Sequence, residues 1–268
     1  VKFLAAAVQM LACPDKEVNL GVAEASIRKA ARLGVRVVAL PEVFNWRGER
    51  DHERVAAEPI PGPTSNLISR LARELEVYIL AGSILEQISQ QTRVHNTSLL
   101  FDPAGKLLAR YRKVHLFDVA ISQGVSVVES DTRASGDAAV VADTRICPMG
   151  LSICYDLRFP ELYRTLVTRG AKVIFVPSAF TAITGKAHWE PLLRARAIEN
   201  QVYIIAPNQY GKSSNNFAAY GNSMIVDPWG RIVARASDGP EIVYGEIDLD
   251  YLDRVRAELP ALSHRKFV

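Results

Sequence analysis

The chain has 268 residues, 49% apolar and 23% charged, enough apolar side chain for the core of one large α/β domain. Its net charge of +3 comes without a block of basic residues, which argues against a nucleic-acid partner. No apolar run reaches membrane-spanning length. The three cysteines, Cys13, Cys147 and Cys154, form no metal-type pair and leave an odd thiol, the usage expected in a reducing cytoplasm.

Lys2 and the apolar run behind it have the outline of a signal peptide, but Gln9 interrupts it early. Phe3 to Met10 reads instead as a core strand covered on both faces. Asp15 offers an N-cap to a helix with Leu20, Ala23, Ile27 and Ala30 on one face, ended by Gly34. Val35 to Leu40 is a second strand, stopped by Pro41-Glu42. Trp46 to Glu58 has no period and reads as a surface loop, long enough for a lid or a pocket wall. Thr64 or Ser65 caps the next helix, which carries Leu67, Ile68, Leu71 and Leu75.

Tyr78 to Leu85 and Val94 to Phe101 are strands, and Asp102 to Lys106 turns the chain into Leu107 to Tyr111. The pattern breaks from Arg112 to Ser135. Ala138 to Asp143 and Met149 to Ile153 are strands leading to Cys154. Pro160 suits a first helical turn, and Gly170 the end of that helix. Val173 to Val176, a helix near Lys186 to Asn200, and strands at 202–206, 220–226, 232–235 and 242–247 complete the chain. No repeat or linker divides residues 1–268. They read as a single domain of mixed α/β layers with two sheets.

Cys154 falls between a strand and a helix, near the positive end of the helix dipole. That location lowers a thiol pKa and supplies oxyanion donors. The competing reading is a buried structural cysteine. Glu42 and Lys113 also sit at strand ends, and strand ends in α/β folds converge on one rim. Alone, Glu42 reads equally as a loop cap and Lys113 as a solvated side chain. Together with a thiol they form a coherent set: a general base, a nucleophile for a carbonyl or nitrile carbon, and an oxyanion cation aided by the N–H after the cysteine.

Three blocks, Ala39 to Glu42, Tyr111 to Asp118 and Gly150 to Glu161, resemble the signature blocks of the nitrilase superfamily of carbon–nitrogen hydrolases. Asp227-Pro228-Trp229-Gly230 extends the resemblance over nearly the whole chain. It implies a four-layer αββα sandwich, with Glu42 as general base, Lys113 as oxyanion cation, Cys154 as nucleophile, and Glu129 as a second glutamate that positions the lysine and assists proton transfer. It also implies no cofactor, a small-molecule amide substrate, and a homodimer paired through the helices after Cys154 and around Trp189.

Pro177 to Gly185, Ala187 to Glu190 and Leu193 to Glu199 are similar to the Nit amidase branch. That branch implies hydrolysis of a small ω-carboxamide through a cysteine thioester with release of ammonia, deaminated glutathione ahead of 2-oxoglutaramate or a nitrile. A catalytically retired scaffold is the alternative from another class, and all four reactive positions speak against it. Ala120, Ile121 and Ser122 depart from the branch's acidic–aliphatic–proline run, and Ser135-Gly136 replaces its Pro-Gly.

Tyr155, Arg158, Phe180, Thr181 and Thr184 are candidate substrate contacts. Arg158 reads equally as an internal ion-pair partner, and Phe180 also as plain core. Lys186 and the loop around Lys212 are further basic candidates for a distant carboxylate. Arg194 and Arg196, on the Trp189 helix, read as part of a dimer face ahead of a solvated one. His115 and His188 have no second metal ligand at suitable spacing, and Gly211-Lys212-Ser213 lacks the spacing of a phosphate loop.

Overall fold

The computed structural model describes residues 1–121, 125–213 and 217–267. Its helices are α1 (Lys16–Arg32), α2 (Glu53–Ala56), α3 (Pro63–Leu75), α4 (Pro160–Thr168), α5 (Ala182–Asn200) and α6 (Leu249–Glu258). No helix among the described residues is long and apolar enough to cross a membrane.

Two sheets stack between helical layers, giving the αββα sandwich. In the first, Lys2–Gln9, Val35–Ala39 and Tyr78–Leu80 run parallel, flanked by Glu241–Asp248 on one side and Val94–Phe101 on the other. In the second, Met149–Leu151, Val173–Phe175 and Tyr203–Ala206 run parallel. The first strand shows why the layers stack as they do. Ala5 and Ala7 face the core between the sheets, with Leu151, Phe175 and Ile205, while Ala6 and Val8 face Ile27 of α1 and Leu71 of α3. Period-two side chains that are apolar on both faces demand cover on both. Trp189 and Leu193 of α5 and Leu162 and Leu166 of α4 close the outer face of the second sheet.

The carboxyl ends of Val35–Ala39, Met149–Leu151 and Val173–Phe175 deliver Glu42, Cys154 and Ala179 to one rim. Leu107–Arg112 delivers Lys113 there from the antiparallel side.

Several elements differ from the sequence expectation. The strand expected over Tyr78 to Leu85 is interrupted at Ala81–Ser83. A Cβ on Gly82 (φ +33°) would meet Pro41 O at 1.9 Å, so only glycine lets this kink press on the loop carrying Glu42. There Ser83 Oγ accepts the Val43 N–H at 2.9 Å. The expected strand at 220–226 divides into Ala218–Tyr220, in a hairpin with Tyr210–Lys212, and Met224–Val226 in the second sheet. α5 starts earlier than expected, at Ala182, because Thr181 caps it. α6 follows the last strand, capped by the Asp248 side chain. Arg196 is not on an outer face: it is buried, donating to Leu157 O at 3.0 Å and to Glu199 at 2.9 Å. Ser122, one of the noted departures, lies outside the described residues. At the other departure, the Gly136 N–H donates to Lys113 O at 2.8 Å.

Candidate active site

A cleft of about 540 Å³ opens on the shared rim. Its walls include the four catalytic and five substrate-contact candidates: Glu42, Lys113, Glu129, Cys154, Tyr155, Arg158, Phe180, Thr181 and Thr184. Lys186 and Lys212 do not line it, and both are exposed. The 46–58 stretch forms a wall of the cleft through Trp46, Arg47, Arg50 and Glu53.

Cys154 opens a 3-10 turn, Cys154–Arg158, ahead of α4. Its φ of +48° is uncommon for a residue with a side chain, so the surroundings must hold it. They do so on both sides. The Cys154 N–H donates to Pro177 O at 3.0 Å. The fully buried Asp156 carboxylate accepts from Ile153 N at 2.8 Å, Tyr111 OH at 2.6 Å and His115 N at 3.1 Å. Those contacts join the Cys154 turn to the segment that carries Lys113. The Tyr155 N–H lies in the first turn, where backbone donors have no intrahelical partner.

Glu42 is buried with every oxygen engaged. Oε1 accepts from Lys113 Nζ at 3.0 Å and Asn96 Nδ2 at 2.8 Å, and Oε2 accepts from the Ala179 N–H at 2.8 Å. The Cys154 thiol is also within its hydrogen-bonding reach. Lys113 Nζ lies 2.9 Å from Glu129 Oε2. Glu129 in turn accepts from the Phe117 N–H at 2.6 Å and from Arg133, which pairs with Glu53 at 2.6 Å. The result is a buried relay of alternating charge, Glu42–Lys113–Glu129–Arg133–Glu53.

Burial is the largest influence on Glu42 and pushes it up, but Lys113, Arg133 and the Cys154 hydrogen bond together hold the carboxyl below the usual range. Glu129 resists its burial in the same way, through Lys113 and Arg133, and falls to about 2. Lys113 is desolvated, yet Glu129 and Glu42 keep it an ammonium.

The thiol behaves opposite to the sequence expectation. Burial first, and Glu42 second, push Cys154 well above the usual cysteine range, with Lys113 only partly offsetting them. The Ala179 N–H also lowers it, without reversing the sign. At rest the site therefore holds a thiol, a carboxylate and an ammonium.

The remaining candidates frame these groups. Tyr155 packs edge-on against Phe117 and Phe159. Phe180 is buried against Trp189, so it is core as well as wall. Thr181 and Thr184 hydrogen-bond each other at 2.6 Å while capping α5. The Arg158 guanidinium lies over Phe180 at 5.2 Å, beside His188 Nδ1 at 3.3 Å. Among the described residues it meets no carboxylate, which removes the internal ion pair. His115 stacks on Phe159, and no group of three or more His, Cys, Asp or Glu among the described residues is arranged to hold a metal.

Asn96, Asp156, Arg133, Glu53 and Arg47 were not singled out from the sequence. Asn96 left one signal: it belongs to a polar run, His95 to Ser98, inside a strand whose other residues are apolar.

The family model described as Carbon-nitrogen hydrolase matches residues 4–257. The chain belongs to the carbon–nitrogen hydrolase family. As such it is a hydrolase acting on non-peptide C–N bonds. It is 44% identical over 99% of both chains to the deaminated glutathione amidase of Synechocystis sp. (strain PCC 6803 / GT-S). It is 40% identical to omega-amidase NIT2-A of Xenopus laevis, over 99% of this chain and 95% of that one. Among solved structures, Saccharomyces cerevisiae Nit3 superposes with a TM-score of 0.90 at 36% identity, over 99% of this carbon–nitrogen hydrolase and 97% of Nit3.

Proposed function

We propose that this carbon–nitrogen hydrolase cleaves a small ω-amide through a thioester on Cys154. One observation carries the reading: Cys154, Glu42 and Lys113 meet at one cleft, with Lys113 Nζ 3.0 Å from Glu42 Oε1. Glu42 takes the thiol proton as Sγ bonds to the amide carbon. Lys113 and the Tyr155 N–H receive the charge that develops on oxygen. As the C–N bond breaks, protonated Glu42 gives its proton to the leaving amine. Water then attacks the thioester, losing its proton to Glu42, and the acid departs with Sγ restored as the thiol. Glu129 acts as a positioning residue, because its donors fix both it and Lys113.

We assign deaminated glutathione as the preferred substrate, ahead of 2-oxoglutaramate. The 44% identity to a protein so named supports this, as does a cleft roomy enough for a dipeptide leaving group. Ammonia is the departing amine only for a primary amide. With deaminated glutathione the same bond cleavage releases Cys-Gly, whose nitrogen is the scissile one. Side-by-side kinetics at one pH test the choice. A kcat/KM at least about tenfold higher for deaminated glutathione, roughly 1.4 kcal/mol, is expected. A preference for 2-oxoglutaramate or for a nitrile contradicts it.

A free Cys154 fits a reducing, cytoplasmic setting. The whole chain is taken to act as one hydrolase domain. We further assign the exposed side of α5, with Ile198, and the neighbouring Trp229 turn to a homodimer contact. A monomer by light scattering across working concentrations contradicts the dimer.

A further inference from the structure

Among the arginines that line the cleft, Arg47 stands apart. Arg50 donates to Val128 O at 2.8 Å, and Arg158 sits beside His188. The Arg47 guanidinium makes no hydrogen bond or ion pair with another described residue. It lies over the Phe217 ring, 4.2 Å from the centroid. A ring against one face leaves the N–H edges free for a planar, two-oxygen partner.

The loop holds this side chain in place. Its own N–H donates to Cys13 O at 3.0 Å, and Trp46 before it is buried. A Cβ on Gly48 would stand 2.6 Å from the Trp46 ring, so glycine is what lets the chain fold back over the indole. Arg47 is thus fixed five residues beyond Glu42 and opens to the cleft. It is desolvated enough for its pKa to fall to about 10, with Glu42 and Cys154 acting against that fall. It is still a cation at neutral pH, and it lies within electrostatic reach of both the base and the nucleophile.

Glu49, on the same cleft, is exposed and forms no ion pair with Arg47, and the buried carboxylates nearby are engaged elsewhere. Glu42 and Glu129 are committed to Lys113, and Glu53 to Arg133. A desolvated cation with no ion-pair partner among the described residues is costly to maintain, and an anion arriving from solution relieves that cost.

We propose that Arg47 binds the carboxylate at the far end of the substrate's acyl half. Both substrates considered above carry that carboxylate, whether the leaving amine is ammonia or a peptide. This rests on the amidase reading above. The acyl half is the relevant one because a chain of a few carbons tethers its carboxylate to the reacting carbonyl, which requires a cation close to Cys154. A contact at the other end of that short tether orients the carbonyl, so its loss lowers kcat as well as raising KM.

The test compares glutaramate with its neutral analogue pentanamide, in the wild-type enzyme and in Arg47→Met and Arg47→Lys. The wild type is expected to favour glutaramate. In Arg47→Met the ratio of the two kcat/KM values should collapse by roughly 10- to 100-fold, the scale of a charge-assisted hydrogen-bonded contact. Arg47→Lys should recover part of the ratio. Competitive inhibition by glutarate should weaken in parallel, which is read without turnover of glutaramate. An Arg47→Met ratio equal to that of the wild type overturns the assignment while leaving the amidase reading intact. Equal losses on both amides mark a purely structural residue and also overturn it. A wild-type enzyme that hydrolyses neither glutaramate, 2-oxoglutaramate nor deaminated glutathione removes the amidase reading itself.

Discussion

Asp156 holds His115 twice: Oδ1 accepts the His115 main-chain N–H at 3.1 Å and lies 2.7 Å from Nδ1 of its ring. Two segments distant in sequence are locked by this pair. One carries Lys113, and the other carries Cys154 at its left-handed φ. The carboxylate is wholly buried, so its geometry is not shared with solvent.

Asp156→Asn should therefore damage catalysis without touching a reacting group. An amide cannot accept from all of the donors that converge there, and one N–H···H–N clash is unavoidable. The expected result is a fall in kcat of roughly 10- to 100-fold with a folded protein by circular dichroism. Wild-type kinetics in this variant would mean that the Cys154 turn holds itself.

Glu42→Gln should separate turnover from thiol reactivity. Turnover should be lost, because an amide takes no proton from the thiol. Alkylation of Cys154 by iodoacetamide at neutral pH should proceed at least as fast as in the wild type. The reason is the sign of the charge effect: Glu42 raises the thiol pKa, and Lys113, which stays, lowers it. Loss of alkylation alongside turnover, or retention of turnover, would contradict the assigned base.

Lys113→Ala should lower kcat by about a hundredfold or more, the scale of losing one oxyanion donor. It also leaves Glu42 and Glu129 facing each other without the ammonium between them, so a lower melting temperature should accompany the loss. Near-normal kcat in a destabilised protein would assign Lys113 a structural role only.

Much of this site is legible in the sequence, because its parts are local. Glu42, Lys113 and Cys154 each end an apolar strand, and Pro160 and Gly170 bracket α4 as written. What the sequence hides is set by distance along the chain. Arg133 meets Glu53 across eighty residues, and nothing in either neighbourhood announces the pair. The direction of the Cys154 pKa is hidden for the same reason. A helix end is a local feature, whereas burial depends on two sheets closing over the thiol. Lys186 shows the converse error: it is near the site in sequence, but α5 turns it outward. α6 escapes notice because its buried face is only Leu249, Leu252 and Val255 in a charged segment.

Acid should loosen the fold through the relay. Glu129 has a folded pKa of about 2 against an ordinary 4.5, so the folded state binds its proton less readily than the unfolded chain. Its contribution is fully present above pH 4.5 and is lost as the pH falls through about 2. Urea denaturation over that range should show wild-type stability falling more steeply than that of Glu129→Gln. Parallel profiles would show that the carboxylate carries no such linkage.

The thioester itself is the most direct test. Intact-protein mass spectrometry after rapid quench should show one acyl adduct on Cys154. The mass gain should be the same whether the enzyme meets deaminated glutathione or 2-oxoglutaramate, because both leave the 2-oxoglutaryl group on sulfur. Cys154→Ala should show neither adduct nor turnover. Turnover persisting in Cys154→Ala, or adducts of different mass from the two substrates, would contradict the mechanism.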